Sequence, residues 1–99
     1  MKFRIKYLPE TLKDREVIQD YFSQFFNDEA SKRFFALLKE KTMKLRDFPY
    51  LYPVYEDDPD YRKLVVGDYL VFYMVNENER AVEIHRILHY AQDIRQHLD

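Results

Sequence analysis

Polar and apolar positions alternate with period two over Lys2–Leu8: Phe3, Ile5 and Tyr7 fall on one side, Lys2, Arg4 and Lys6 on the other. That spacing predicts a strand with one half-buried face and one wet, cationic face. Three cations in a row on a strand face read first as solvation and edge protection against aggregation, with phosphate binding as the alternative. From Pro9, whose missing N–H is no loss in a first helical turn, the period changes. Ile18, Tyr21, Phe22 and Phe25 recur at i, i+3, i+4 and i+7, which predicts a helix over about 10–26. Asn27 or Asp28 then caps a second helix, with Asp28 and Glu29 at its positive end. Ala30, Phe34, Leu37, Leu38 and Leu45 form its apolar stripe, and the short connection makes the two helices an antiparallel hairpin.

Periodicity fails over 47–60, DFPYLYPVYEDDPD, where three prolines remove ladder donors and restrict their neighbours. This stretch is expected to be an ordered loop pinned by its tyrosines, with base stacking by Tyr50, Tyr52 and Tyr55 as the alternative. Strand character returns in Leu64–Val66 and Tyr69–Val75, separated by Gly67-Asp68, a Gly-first hairpin signal carrying the only glycine of the chain. The polar run Asn76–Arg80 breaks the pattern and Ala81–Leu88 resumes it, giving a three-strand meander. On its central strand Tyr69, Val71, Tyr73 and Val75 share one face, and Leu70, Phe72 and Met74 the other. One face is expected to lie against the helical hairpin. The other, carrying the two tyrosines, is expected to stay bare for another polypeptide. Ala91–Leu98 reads as a short terminal helix.

Ninety-nine residues, 46% apolar and 17% aromatic, fit one domain over 1–99 with a single core and exclude a disordered chain. No run approaches a membrane span, and the N-terminus lacks an apolar signal core, so a cytoplasmic protein without membrane contact is expected. Zero cysteines remove thiolate chemistry, disulfides and Cys-type zinc sites. A net charge of −2 provides no global field for nucleic acid. The densest chemistry is the group His85, Arg86, His89 and Tyr90 at the end of the last strand. The four-residue spacing of His85 and His89 binds metal on a helix, but on a strand end with no third ligand it does not, so no metal or cofactor is expected. His89 has the intrinsic pKa range of a proton shuttle. Arg86 reads either as a phosphate clamp or as the partner of a buried carboxylate, Asp93 being nearest in sequence.

The order strand, helix, helix, proline loop, meander and closing ILHYAQDI resembles the RelE/ParE superfamily of bacterial toxins over nearly the whole chain. The likeness is carried by Ala30, the Phe34–Leu45 stripe, Pro49, 61–64, 69–73, and above all Arg86-Ile87-Leu88-His89 followed by Asp93-Ile94. It implies an α+β fold, a helical hairpin packed on a twisted, mainly antiparallel four-stranded sheet in the order β-α-α-β-β-β. It also implies the toxin role in a type II toxin–antitoxin system and a cognate antitoxin as partner.

Within the superfamily, RelE-like and YoeB-like members cut ribosome-bound mRNA and ParE-like members inhibit DNA gyrase. RNA cleavage needs a base for the 2′-hydroxyl, cations for the phosphorane charge and an acid for the leaving oxygen. His89-Tyr90 matches the His-Tyr pair at the end of YoeB-like toxins and Arg62 a basic position on the second strand of RelE-like members; with Arg86 as phosphate clamp, these four are the residues expected to fill the roles. The resemblance departs where the catalytic arginine of both RNase groups falls on Leu70, and where many ParE-like sequences read His-Gly-Ala-Arg-Asp against His89-Tyr90-Ala91-Gln92-Asp93. The leading reading is a ribosome-dependent mRNA endonuclease acting through these four residues; the alternatives are a non-catalytic gyrase inhibitor and a degenerate member that only binds its antitoxin.

Overall fold

A computed structural model describes residues 2–98. The chain runs β1 (Arg4–Tyr7), α1 (Pro9–Phe25), α2 (Asp28–Met43), a 3-10 turn (Lys44–Arg46), β2 (Arg62–Val66), β3 (Tyr69–Asn76), β4 (Ala81–His89) and α3 (Ile94–Leu98). Pro9 opens α1, and the Asn27 side chain caps α2 by accepting from the Ala30 amide at 2.9 Å. Gly67 turns the β2–β3 hairpin at φ +57°, a left-handed conformation that side chains with a Cβ resist. The four strands lie in the order β1-β4-β3-β2, with β1 parallel to β4 and the rest antiparallel, as the β-α-α-β-β-β expectation requires.

The two sheet faces are covered the opposite way round from the expectation drawn above. Tyr69, Val71 and Tyr73 of β3 face the helical hairpin, where they pack with Ile18, Phe34 and Leu38. Tyrosine suits this interior because its hydroxyl finds a partner: Tyr73 is fully buried and donates to the Pro49 carbonyl at 3.1 Å. The opposite face is not bare either. Tyr61, Phe72, Leu88 and Leu98 form a second buried cluster, with Tyr55, Leu70, Met74 and Ile94 packed against it. The chain's own tail and proline loop therefore occupy the surface, and no bare tyrosine face of the sheet remains among the described residues.

Helix faces also differ from the simple stripe. Thr11, Asp14 and Ile18 are the buried positions of α1, while Tyr21 and Phe25 are 42% and 61% exposed. Polar Thr11 and Asp14 are tolerated inside because both are bonded: the Thr11 hydroxyl donates to the Leu8 carbonyl at 2.6 Å, and Asp14 takes three donors described below. On α2, Phe34 and Leu38 are buried as expected, whereas Leu37 is exposed. In the proline loop Tyr52 and Tyr55 do pin the backbone to the two clusters, but Phe48, Tyr50 and Leu51 stand in solvent.

Burial pushes the Tyr73 phenol up to about 12, and burial raises Tyr69 as well. A phenol held neutral in the fold but free to ionise near pH 10 when unfolded adds nothing below pH 10 and loses ground above it. Stability should therefore hold flat in tyrosine terms to pH 10 and fall between pH 10 and 12. Tyr73 accounts for roughly 2–3 kcal/mol of that loss. Urea midpoints recorded across this range should show the decline, and Tyr73→Phe should flatten it while costing about 1 kcal/mol at neutral pH for the lost hydrogen bond.

Candidate functional site

The last strand outlasts its parallel neighbour. β1 pairs with Ala81–Ile84 and the Leu8 amide donates to the Ile84 carbonyl, after which β4 continues alone on that side. Across β3, Phe72 lies opposite Arg86 and Tyr73 opposite Ile84, so His85 is an extra residue and the strand bulges there. The bulge reverses the alternation: Val82 and Ile84 face the helices before it, Ile87 after it, and Leu88 drops into the opposite cluster.

A carboxylate on α1 takes the place of the missing strand. Asp14 Oδ2 accepts from the Ile87 amide at 2.9 Å and from Arg86 Nε at 2.8 Å, and Oδ1 accepts from Arg86 Nη2 at 2.8 Å. Both side chains are largely withdrawn from water, 18% and 9% exposed for Arg86 and Asp14. The remaining guanidinium arm, Nη1, donates to the His97 carbonyl at 2.7 Å, and the Tyr61 hydroxyl donates to the next carbonyl, Leu98, at 3.1 Å. The hydrogen bonds to Asp14 raise the Arg86 pKa above its ordinary value. Of the two roles foreseen for Arg86, the buried ion pair is the one found, but its partner is Asp14 on α1 and not Asp93.

Beyond Arg86, the strand ends at His89. Its amide donates to Gln92 Oε1 at 2.7 Å, its carbonyl accepts from the Gln92 amide at 3.0 Å, and its Nδ1 accepts from the Ala91 amide at 3.1 Å. With Nδ1 used as an acceptor, the neutral ring carries its proton on Nε2. The imidazole meets Tyr69 edge-on at 5.3 Å, and the exposed Tyr90 ring stacks on it at 4.7 Å. His89 lines a groove of about 510 Å³ between α1 and the sheet, walled also by Val17, Ile18, Tyr21, Tyr69, Ile87 and Gln92.

Three of the four expected site residues, Arg86, His89 and Tyr90, thus lie together at the end of β4. Arg62 does not join them. It sits opposite Tyr73, four residues along β3 from the residue opposite His89, with β3 intervening. That separates the two by roughly 13 Å along the strands and about 10 Å across them. Arg62 Nη1 donates to the Tyr52 carbonyl at 2.7 Å and its guanidinium lies 4.9 Å over the Tyr50 ring, so it braces the proline loop. Leu70 pairs with Leu88 on the face opposite the groove. Asp14, Gln92 and Tyr69 are the site residues that the sequence reading missed. A carboxylate amid the apolar positions of α1 was the available signal for the first.

The comparisons with known proteins follow this geometry. A family profile described as the ParE toxin of type II toxin–antitoxin systems, parDE, matches residues 5–94. No curated protein sequence matches the chain. Among solved structures, the chromosomal ParDE system from P. aeruginosa superposes with a TM-score of 0.75 at 15% identity, covering 89% of this chain and 96% of that one. The RelBE2 toxin–antitoxin complex from Mycobacterium tuberculosis gives 0.65 at 15% identity over 90% and 99%. A RelE toxin variant from E. coli in the free state gives 0.67 at 15% identity over 98% and 94%. At these identities the likeness is one of fold.

Removing one partner of a buried ion pair strands the other charge, a loss that exceeds the net worth of the pair itself. Asp14→Ala should therefore lower stability by about 3 kcal/mol or more in urea denaturation. It should also speed amide exchange in the tail, which Arg86 holds, more than in β2.

Proposed function

The chain belongs to the ParE toxin family of type II toxin–antitoxin systems, and from that membership we propose that it arrests growth by binding and inhibiting DNA gyrase, without cutting RNA. A cognate antitoxin holds it in check, a partnership supported by its fold likeness to toxins of the ParDE and RelBE2 systems. The target places its action in the cytoplasm.

The observation that carries this reading is the employment of the arginines. Phosphodiester cleavage needs cationic donors free to meet charge as it develops on phosphorus. Arg86 gives two arms to Asp14 and the third to a backbone carbonyl. Arg62 is fixed to Tyr52 and Tyr50 at the far end of the sheet. Leu70 offers no charge, and the acidic run Glu56-Asp57-Asp58 repels a polyanion.

What favours the second reading, ribosome-dependent mRNA cleavage, is the stacked His89–Tyr90 pair, with the imidazole Nδ1 satisfied by a backbone amide. The two readings part on one variant. General acid–base catalysis contributes about 10²–10⁴ in rate, so an RNase would lose its toxicity in His89→Ala. A binding inhibitor should keep arresting growth in that variant, with induced cells accumulating relaxed plasmid and showing no new mRNA 5′ ends. New 5′ ends that disappear in His89→Ala would establish the RNase reading instead.

A further inference from the structure

Along α1, Val17, Tyr21 and Phe25 recur at every fourth position, and all three are exposed. One face of the helix thus presents large apolar groups that the core does not use, over about 12 Å of helix axis. Val17 and Tyr21 line the groove beside His89 together with buried Ile18, Tyr69 and Ile87. Phe25 continues the stripe past the groove, its ring 5.1 Å from that of Tyr21.

The backbone here has nothing to offer an extended chain. Asp14 takes the Ile87 amide and Gln92 Oε1 takes the His89 amide. An occupant must therefore satisfy its own backbone and bring side chains alone, which a helix does and a lone strand does not. Charge narrows the choice. The cations nearest the groove are engaged, Arg86 with Asp14 at 2.8 Å and Lys13 with Glu10 at 3.7 Å. Three acids around it have no ion pair among the described residues: Asp20, three residues after Val17; Asp68, next to Tyr69; and Asp93, next to Gln92. Asp68 is near enough that, after burial and Tyr21, its charge helps to raise the Tyr69 phenol.

We infer that this groove receives a basic amphipathic helix of the target protein, its apolar face laid along Val17, Tyr21 and Phe25 and its lysines or arginines against Asp20, Asp68 and Asp93. A helix in a groove is read through apolar anchors about one turn apart, the spacing that the stripe itself presents. A second copy is a poor occupant, because seated on the same stripe it brings its own three acids to an acidic rim. That the helix belongs to gyrase rests on the function proposed above. The stripe and the rim do not depend on it.

The test uses the whole chain and two synthetic helical peptides with the same leucine stripe, one flanked by lysine and the other by glutamate. The lysine peptide should shift the methyl signals of Val17, Ile18 and Ile87 and bind about tenfold or more tighter than the glutamate peptide. Val17→Lys, a change at an exposed position, should keep the wild-type melting midpoint and weaken the lysine peptide by about tenfold or more. Asp20→Lys combined with Asp68→Lys should reverse the preference between the peptides. Equal binding of the two, signal shifts confined to other surfaces, or an unchanged affinity in Val17→Lys would overturn the proposal. Purified gyrase should then displace the lysine peptide from the wild-type chain. Gyrase bound with the peptide still in place would overturn the assignment of the groove to the target. A chain that binds the lysine peptide but no gyrase would support the groove and refute the proposed function, so the two failures are distinguishable.

Discussion

A strand that runs on after its neighbour has ended exposes backbone donors on one side, and unpaired buried N–H groups cost about as much as a lost hydrogen bond. Here the exposed donor is the Ile87 amide, and Asp14 answers it from α1. A carboxylate set that deep in turn needs a cation, and Arg86 lies next to Ile87 to supply one. The spare arm of Arg86 then reaches the His97 carbonyl and fastens the tail. One ion pair thus joins helix, strand and terminus. Buried pairs of this kind add little net stability compared with apolar replacements, but their geometry is exacting and their disruption is costly. The pair fixes how α1, β4 and α3 stand to each other, and those elements wall the groove beside His89.

The same constraint shapes the chemistry available. A guanidinium whose charge is paired with a carboxylate, and which gives three of its five N–H donors to that carboxylate and a carbonyl, has little left for a phosphate, however close it lies to an imidazole. His89 and Tyr90 keep the company of aromatic rings and backbone amides, and Arg62 serves the proline loop. A groove walled by apolar side chains of α1 and the sheet, beside an arginine engaged in a buried ion pair, lacks the free cations that would meet charge in a reacting ester.

Much of the fold was legible because local signals agreed with it. Period-two alternation marked β1, Pro9 and Asn27 marked helix starts, and Gly67 marked the hairpin. The faces were less legible. Tyrosine on a strand resembles a wet face until its hydroxyl is given a carbonyl, and the Pro49 carbonyl that receives Tyr73 is distant in sequence. The α1 stripe misled because Tyr21 and Phe25 repeat at helical spacing while the buried face is carried by Thr11 and Asp14, whose polarity hides it. In β4, apolar positions 82 and 84 give way to 87 and 88, a break in parity that marks a bulge at the intervening polar pair. Why Arg86 pairs with Asp14 was not readable at all, since 72 residues separate them and only the crossing of α1 over the strand end brings them together.

The account stands on Asp14 and Arg86 acting as one unit. A double-mutant cycle in urea, comparing Asp14→Asn, Arg86→Gln and the two combined, measures that directly. The account predicts that the double variant is less damaged than the sum of the singles, by about 2 kcal/mol or more, because neither leaves a stranded charge. Additive losses would mean that the two side chains do not depend on each other, and the clamp between helix, strand and tail would have to be abandoned.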